Sequence, residues 1–324
     1  MSSTAATHNI VIVGGGYAGV RLAQALEKRF SGNDEYRVLL IDKKSYFYHI
    51  IAGPRAAVEH INNVIPYTHT FKDQEKNLVV QAMVVRLEKD KLYLDKRFEG
   101  STELQFAYTV LATVKEAHSI LIIGGGPTGV EVAGEILEKY SDKKIILAHD
   151  QKQLLNDDIP AWSRTQMLHK VKKNNVEVLL DDPVILPAAT SIEQTIYKPE
   201  EPLTTRKGTR LQVDLVMLMF GMRAETGWLE DTLPLASNGG FIKVKPTLQV
   251  DAPGFDNVYA AGDVADIDEY KLAGRSMGHT RVICANIMNS TKGKEPSRTY
   301  KANNKFLMGI TFGKVCFNSL SANV

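Results

Sequence analysis

The stretch HNIVIVGGGYAG, residues 8–19, constrains the fold of this chain more than any other. Residues 10–13 form a short apolar, β-branched run, which reads as a buried strand. Gly14, Gly16 and Gly19 follow in G-x-G-x-x-G spacing, and residues 20–30 read as a helix. In a strand–turn–helix of this kind one glycine makes the tight turn. A second lets backbone approach a pyrophosphate, and a third lets helix pack on strand. The open helix N-terminus carries unpaired N–H groups and partial positive charge, which suits a phosphate. Residues 37–41 read as the next strand. Asp42 ends it, 23 residues beyond Gly19, close to where an acidic side chain takes ribose hydroxyls. The stretch predicts a dinucleotide site; the plainer alternative is a glycine turn in an ordinary α/β unit.

The pattern recurs. Residues 119–123 (SILII) read as a strand, and Gly124, Gly126 and Gly129 repeat the glycine spacing. Residues 130–140 read as a helix and 144–149 as the next strand. Gly14 lies 97 residues before Leu111, and Gly124 lies 95 before Met219, so the two halves share order and length. That is the mark of a duplicated nucleotide-binding module, each copy with its own dinucleotide. Between the glycine motifs, residues 78–87 and 92–94 read as a hairpin and 106–112 as another strand. After the second motif, residues 161–174 read as a helix, and 176–180, 195–198 and 211–220 as strands. The expected fold class is α/β: two Rossmann-like three-layer domains with β-meander crossovers. A third signal is NVYAAGD, residues 257–263, a short strand running into Gly262 and Asp263. The aspartate can accept hydrogen bonds from sugar hydroxyls; the alternative is a turn with a helix cap. Residues 281–289 read as a helix.

Composition excludes more than it assigns. With 324 residues there is room for two domains with cores of their own. A net charge of +2 argues against nucleic-acid binding. No apolar run approaches the roughly 20 residues of a membrane helix. Cys284 and Cys316 are the only cysteines, too few for a disulfide framework or a zinc cluster. Residues 1–7 lack the features of a signal or transit peptide, and Ser2 excludes N-myristoylation. A cytoplasmic location is expected.

Two glycine motifs a module apart, followed by YAAGD, resemble the two-dinucleotide-binding flavoprotein reductases of the pyridine nucleotide-disulfide oxidoreductase superfamily. VIVGGGYAG, LLIDKKSYFYH, IIGGGPTGVEVAGEI, NVYAAGD and ICANIMNS are most similar to its apoptosis-inducing-factor-like group. The resemblance implies a glutathione-reductase-like fold. A discontinuous FAD domain would occupy residues 1–115 and 245–296, an NAD(P)H domain 116–244, and a shortened C-terminal segment 297–324. It implies NAD(P)H-dependent reduction of a quinone-type acceptor through FAD. Peripheral membrane contact, at a lipid droplet or the outer mitochondrial membrane, is implied as well. The implied FAD contacts are Gly14, Gly15, Gly16, Tyr17, Ala18, Gly19, Arg55, Val79, Gly262 and Asp263, with Asp42 on the adenosine ribose. Gly124, Gly126 and Gly129 would receive the nicotinamide dinucleotide. Asp150 would accept the 2′-hydroxyl of NADH, whereas His149 and Lys152 would favour the 2′-phosphate of NADPH; the weight lies with NADH. Glu131 and Lys314 are the implied catalytic residues. The plainer readings are a helix-dipole carboxylate worth about 0.3–1 kcal/mol for Glu131 and a solvated lysine for Lys314. His279 would either face the flavin or pack in the core.

The chain also departs from that pattern. Only residues 113–118 join the strand expected at 106–112 to the one at 119–123, and six residues reach at most about 20 Å. The family has a glycine and a linking helix there, so an internal deletion is expected, with the flavin pocket opened on that side. The final stretch VCFNSLSANV departs as well. Without a paired redox-cysteine motif, disulfide reduction is disfavoured. Two other functions stand beside the quinone reductase: a regulatory, pro-death flavoprotein and an inactive truncated relative.

Overall fold

The computed structural model describes residues 8–96, 103–157, 159–188, 190, 195–303 and 307–320. Residues 1–7, on which the leader and myristoylation readings rest, lie outside these, as do residues 321–324 of the C-terminal stretch. The chain opens with strand β1 (His8–Val13), helix α1 (Tyr17–Arg29) and strand β2 (Tyr36–Asp42). The short helix α2 (Gly53–Ala56) and strand β3 (Leu78–Gln81) follow. Helix α3 (Glu103–Glu116) leads into β4 (Ser119–Ile123), α4 (Pro127–Lys139) and β5 (Lys144–His149). Then come α5 (Ala161–Lys173), β6 (Glu177–Leu180) and β7 (Leu215–Leu218). Helix α6 (Ser276–Ser290) and the hairpin strands β8 (Leu307–Phe312) and β9 (Val315–Leu320) complete the sequence.

Two compact units emerge. The first comprises Met1–Tyr48, Val64–Ser101 and Met222–Asn304; the second comprises His49–Asn63, Thr102–Gly221 and Lys305–Val324. In the first, β1, β2 and β3 form a parallel sheet with β2 in the middle. Ile12, Val38 and Leu40 of that sheet pack with Ala23 and Leu26 of α1 and with Cys284 of α6. A second cluster in this unit gathers Leu229, Leu233, Ile242, Val250 and Ala265. In the second unit the parallel order is β6–β5–β4–β7, closed by an antiparallel edge pair at Ile196–Tyr197. Ile120, Leu121 and Ile122 of β4 are fully buried. A parallel strand covered on both faces reads as a continuous apolar run, which is why SILII shows no alternation.

The two glycine loops share a backbone framework. Gly14 N–H donates to Ile41 O at 2.8 Å, and Gly124 N–H donates to Ala148 O at 2.8 Å. Each loop then starts its helix from an extended N-cap glycine, Gly16 or Gly126. A Cβ on Gly19 would stand 1.8 Å from Gly14 O, and one on Gly129 would stand 1.9 Å from Gly124 O. No side chain fits there, so the third glycine of each motif is a packing requirement.

The structure corrects one expectation with wide consequences. Residues 106–112 do not form a strand; they lie within α3. The second module places β7 beside its first strand, and the repeat predicts the same of 106–112 beside β1. Instead β1 is a sheet edge, with Val11 38 % and Val13 45 % exposed. The periodicity explains this: Val110, Val114 and Ala117 are buried at i, i+4 and i+7, the spacing of one helix face. A 14-residue helix, about 21 Å long, carries the chain directly into β4. Smaller differences follow. Residues 257–261 make only an isolated bridge, Gln249 to Tyr259, and α6 begins at Ser276 rather than at 281. Residues 49–63 and 103–115 fall in the second unit and 222–244 in the first, unlike the expected boundaries.

Gly129→Ala should lower stability by about 2–3 kcal/mol, because the Cβ must displace backbone. Gly227→Ala, at the start of the 3-10 turn Gly227–Leu229 where a Cβ would meet no atom within 4 Å, should raise it by about 0.4–1 kcal/mol. Urea midpoints of the two variants test the contrast.

Candidate cofactor and active site

The first loop is braced from behind. Asp42 Oδ2 accepts from Gly15 N–H at 2.5 Å, and Oδ1 accepts from Lys44 N–H at 2.7 Å. Tyr67 Oη donates to Gly15 O at 2.7 Å and lies 3.4 Å from Asp42 Oδ2. A Cβ on Gly15 would collide with that phenol, 2.0 Å from its oxygen. Asp42, read as the ribose acid, thus holds the loop in shape. Tyr67 was missed because nothing in PYTHT marks it as a loop partner.

The front of the loop is open. A Cβ on Gly14 or Gly16 would meet no atom within 4 Å. Helix α1 has no side-chain cap and no acidic residue in its first turn, so its N-terminal charge is not neutralised from within the helix. That arrangement fits the pyrophosphate of a dinucleotide. Gly262 and Asp263 lie in the short 3-10 turn Gly262–Val264, in the same unit. A Cβ on Gly262 would approach Ala18 Cβ to 2.9 Å, so the third motif lies against the first. Desolvation raises the Asp263 carboxyl above its usual range, against the pull of Lys271 and His279, although the residue keeps exposed surface. Val79 pairs with Leu40 in the β2–β3 ladder.

The second loop carries its own cradle. Helix α4 has no side-chain cap and no acid in its first turn, and Leu155 N–H donates to Gly125 O at 2.8 Å. Beyond β5, Asp150, Lys152, Asp157, Arg164 and Asp181 line a cavity of about 380 Å³. Arg164 Nη1 is 2.5 Å from Asp157 Oδ1. His149 packs on Gly125, and its Nδ1 is 3.3 Å from Asp150 Oδ1. Burial lowers the His149 pKa, so the imidazole is neutral at pH 7.

Helix α4 also presents acids at helical spacing. Glu131 Oε1 accepts from Thr311 N–H at 3.1 Å and from Thr311 Oγ1 at 3.2 Å, on β8. Desolvation raises the Glu131 pKa, and the two Thr311 bonds oppose that. One turn later the buried Glu135 Oε2 lies 2.8 Å from Arg55 Nε. Its pKa is raised by burial against the Arg55 charge. Arg55 also stands 3.6 Å from Glu59. The arginine read as an FAD contact therefore sits in the second unit, its charge engaged by carboxylates, because α2 packs against α4. Lys314 is 86 % exposed at the β8–β9 turn, 3.6 Å from Glu138. Thr311 escaped the sequence reading, since its partner lies 180 residues away.

A family profile described as pyridine nucleotide-disulphide oxidoreductase matches residues 114–285. The chain belongs to this family. Ferroptosis suppressor protein 1 of Mus musculus is 30 % identical over 336 residues, covering 92 % of this chain and 84 % of that protein. Apoptosis-inducing factor homolog B of Dictyostelium discoideum is 28 % identical, covering 92 % and 85 %. An NAD-dependent persulfide reductase from A. fulgidus has the same fold, with a TM-score of 0.76 at 13 % identity over 98 % of this chain and 64 % of its own. As a pyridine nucleotide-disulphide oxidoreductase family member, the protein is an NAD(P)H-dependent flavin oxidoreductase with FAD and a nicotinamide dinucleotide as its cofactors.

In Asp42→Asn one carboxylate oxygen becomes an NH₂ facing a backbone N–H, at an expected cost of about 1–3 kcal/mol. Tyr67→Phe loses a neutral hydrogen bond, at about 0.5–1.5 kcal/mol. Both should weaken FAD retention in that order, as read by urea midpoints and flavin released on desalting.

Proposed function

We propose that the protein takes electrons from NADH and passes them through FAD to a quinone-type acceptor, with FAD on the first loop and NADH on the second. The observation that carries this reading is the pair of matched glycine loops, one in each unit, both with uncapped helix N-termini. FAD supplies the hydride-accepting and electron-donating chemistry; the protein binds and orients. Gly14 to Gly19 offer backbone and helix charge to the FAD pyrophosphate, with Asp42 and Tyr67 fixing the loop. Val79 offers backbone to the adenine. Gly262 and Asp263 close the site from the third motif. Gly124 to Gly129 take the nicotinamide dinucleotide, and Asp150 takes a ribose hydroxyl.

The acceptor is external because the thiols are unsuited to the task. Cys284 is buried, its pKa pushed up to about 11 by desolvation, and the other cysteine is 32 positions away in sequence. A quinone-type acceptor is what the resemblance to the apoptosis-inducing-factor-like group implies. Glu131 is the group suited to hold a proton: Oε1 is bonded to Thr311, and its raised pKa lets Oε2 carry a proton nearer neutrality than an ordinary carboxyl does.

Because the folded-state pKa of Glu131 is raised, the native state binds that proton more tightly than the unfolded chain. Wild type should therefore lose stability relative to Glu131→Gln as pH rises from about 4.3 through the raised value. The same variant should slow NADH-dependent flavin bleaching in a stopped-flow experiment by about tenfold or more while retaining FAD. A flat stability difference with unchanged bleaching refutes the role. Asp150→Ala should remove the ribose acceptor and narrow the preference for NADH over NADPH by about tenfold, measured as a ratio of kcat/KM values.

A further inference from the structure

Behind the Gly262–Asp263 turn lies a buried polar chain that the proposed function does not use. Gly262 N–H donates to His279 Nδ1 at 3.0 Å. His279 Nε2 lies 2.9 Å from Glu269 Oε1. Glu269 Oε2 accepts from Tyr300 Oη at 2.7 Å and from Asn303 N–H at 3.4 Å. The side chains of His279 and Glu269 are each 2 % exposed. The Tyr300 ring meets the imidazole edge-on, with centroids 4.5 Å apart at 86°.

The backbone donor fixes the tautomer. Gly262 N–H can only donate, so Nδ1 must accept, and the ring proton must sit on Nε2. That proton points at Glu269, whose second oxygen is held by Tyr300. Each member thus orients the next, from Tyr300 through Glu269 and His279 to the amide of Gly262. The amide belongs to a residue at φ +76° that lies against Ala18 of the first glycine loop. Lys271 secures the other side of the turn, its Nζ donating to Ala265 O at 2.5 Å and to Ile267 O at 3.3 Å. Desolvation lowers the His279 pKa against the pull of Glu269, consistent with a neutral ring.

We propose that Tyr300, Glu269 and His279 are positioning residues that hold the Gly262–Asp263 turn in its FAD-binding conformation. The inference rests on the reading that this turn contacts FAD. His279 acts through Gly262 and is not a catalytic residue.

The test compares FAD dissociation constants of wild type, His279→Ala and His279→Asn, and adds ¹⁵N NMR of the histidine rings in the FAD-free protein. Asparagine can present an acceptor where Nδ1 stood. His279→Ala should weaken FAD binding by about tenfold, the loss of one buried hydrogen bond and its orientation, whereas His279→Asn should stay within about threefold of wild type. The spectrum should show His279 with a bare Nδ1 and a protonated Nε2. Equal affinities in all three proteins overturn the proposal, as does equal loss in both variants. If His279→Ala does not fold, the tautomer decides: a protonated Nδ1 overturns the proposal and a bare one supports it. Wild type that binds no FAD refutes the cofactor reading instead, and the tautomer still decides whether the relay exists.

Discussion

The structure depends on a helix crossing a strand-end carbonyl at a distance that admits no side chain. Gly19 against Gly14 O, and Gly129 against Gly124 O, bring α1 down on β1 and α4 down on β4. That approach aims each helix N-terminus along its own glycine loop. Each loop then has an uncapped helix N-terminus beside a strand that ends in Asp42 or His149. The same geometry is built twice, once in each unit.

The supports behind the two loops differ. In the first unit a charged side chain and a phenol brace the loop through Gly15. In the second, Leu154 and His149 pack on Gly125, and a backbone bond from Leu155 holds it. The second module also carries the acids on α4. Glu131 and Glu135 share a helix face and a partly desolvated setting, yet their partners differ: a threonine hydroxyl and amide for one, an arginine for the other. Burial raises the pKa of both carboxyls, opposed by the Thr311 bonds at Glu131 and by the Arg55 charge at Glu135.

Much of this was legible in the sequence because it is local. Strand, glycine turn, helix and acid occur within about 30 consecutive residues, and the motif states the geometry. The strand expected at 106–112 was misread because its apolar, β-branched composition matches a strand taken alone. Its periodicity decided otherwise, since Val110, Val114 and Ala117 are buried at helical spacing. Tyr67, Thr311 and the Glu269–His279–Tyr300 chain were invisible for a different reason. Each acts through a partner tens to hundreds of positions away, and no periodicity encodes such a contact. The acids of α4 could have been noticed from their spacing alone, and Arg55 could not have been paired with Glu135 without the packing of α2 on α4.

The account stands on two separate cofactor sites joined by electron transfer. The most direct measurement is the visible absorption of the FAD-loaded protein during anaerobic titration with NADH. The account predicts a yellow protein whose blue absorption band bleaches with one equivalent of NADH per flavin and returns on addition of a soluble quinone. A protein that takes up FAD but keeps its colour in excess NADH, or takes up no FAD at all, would contradict it.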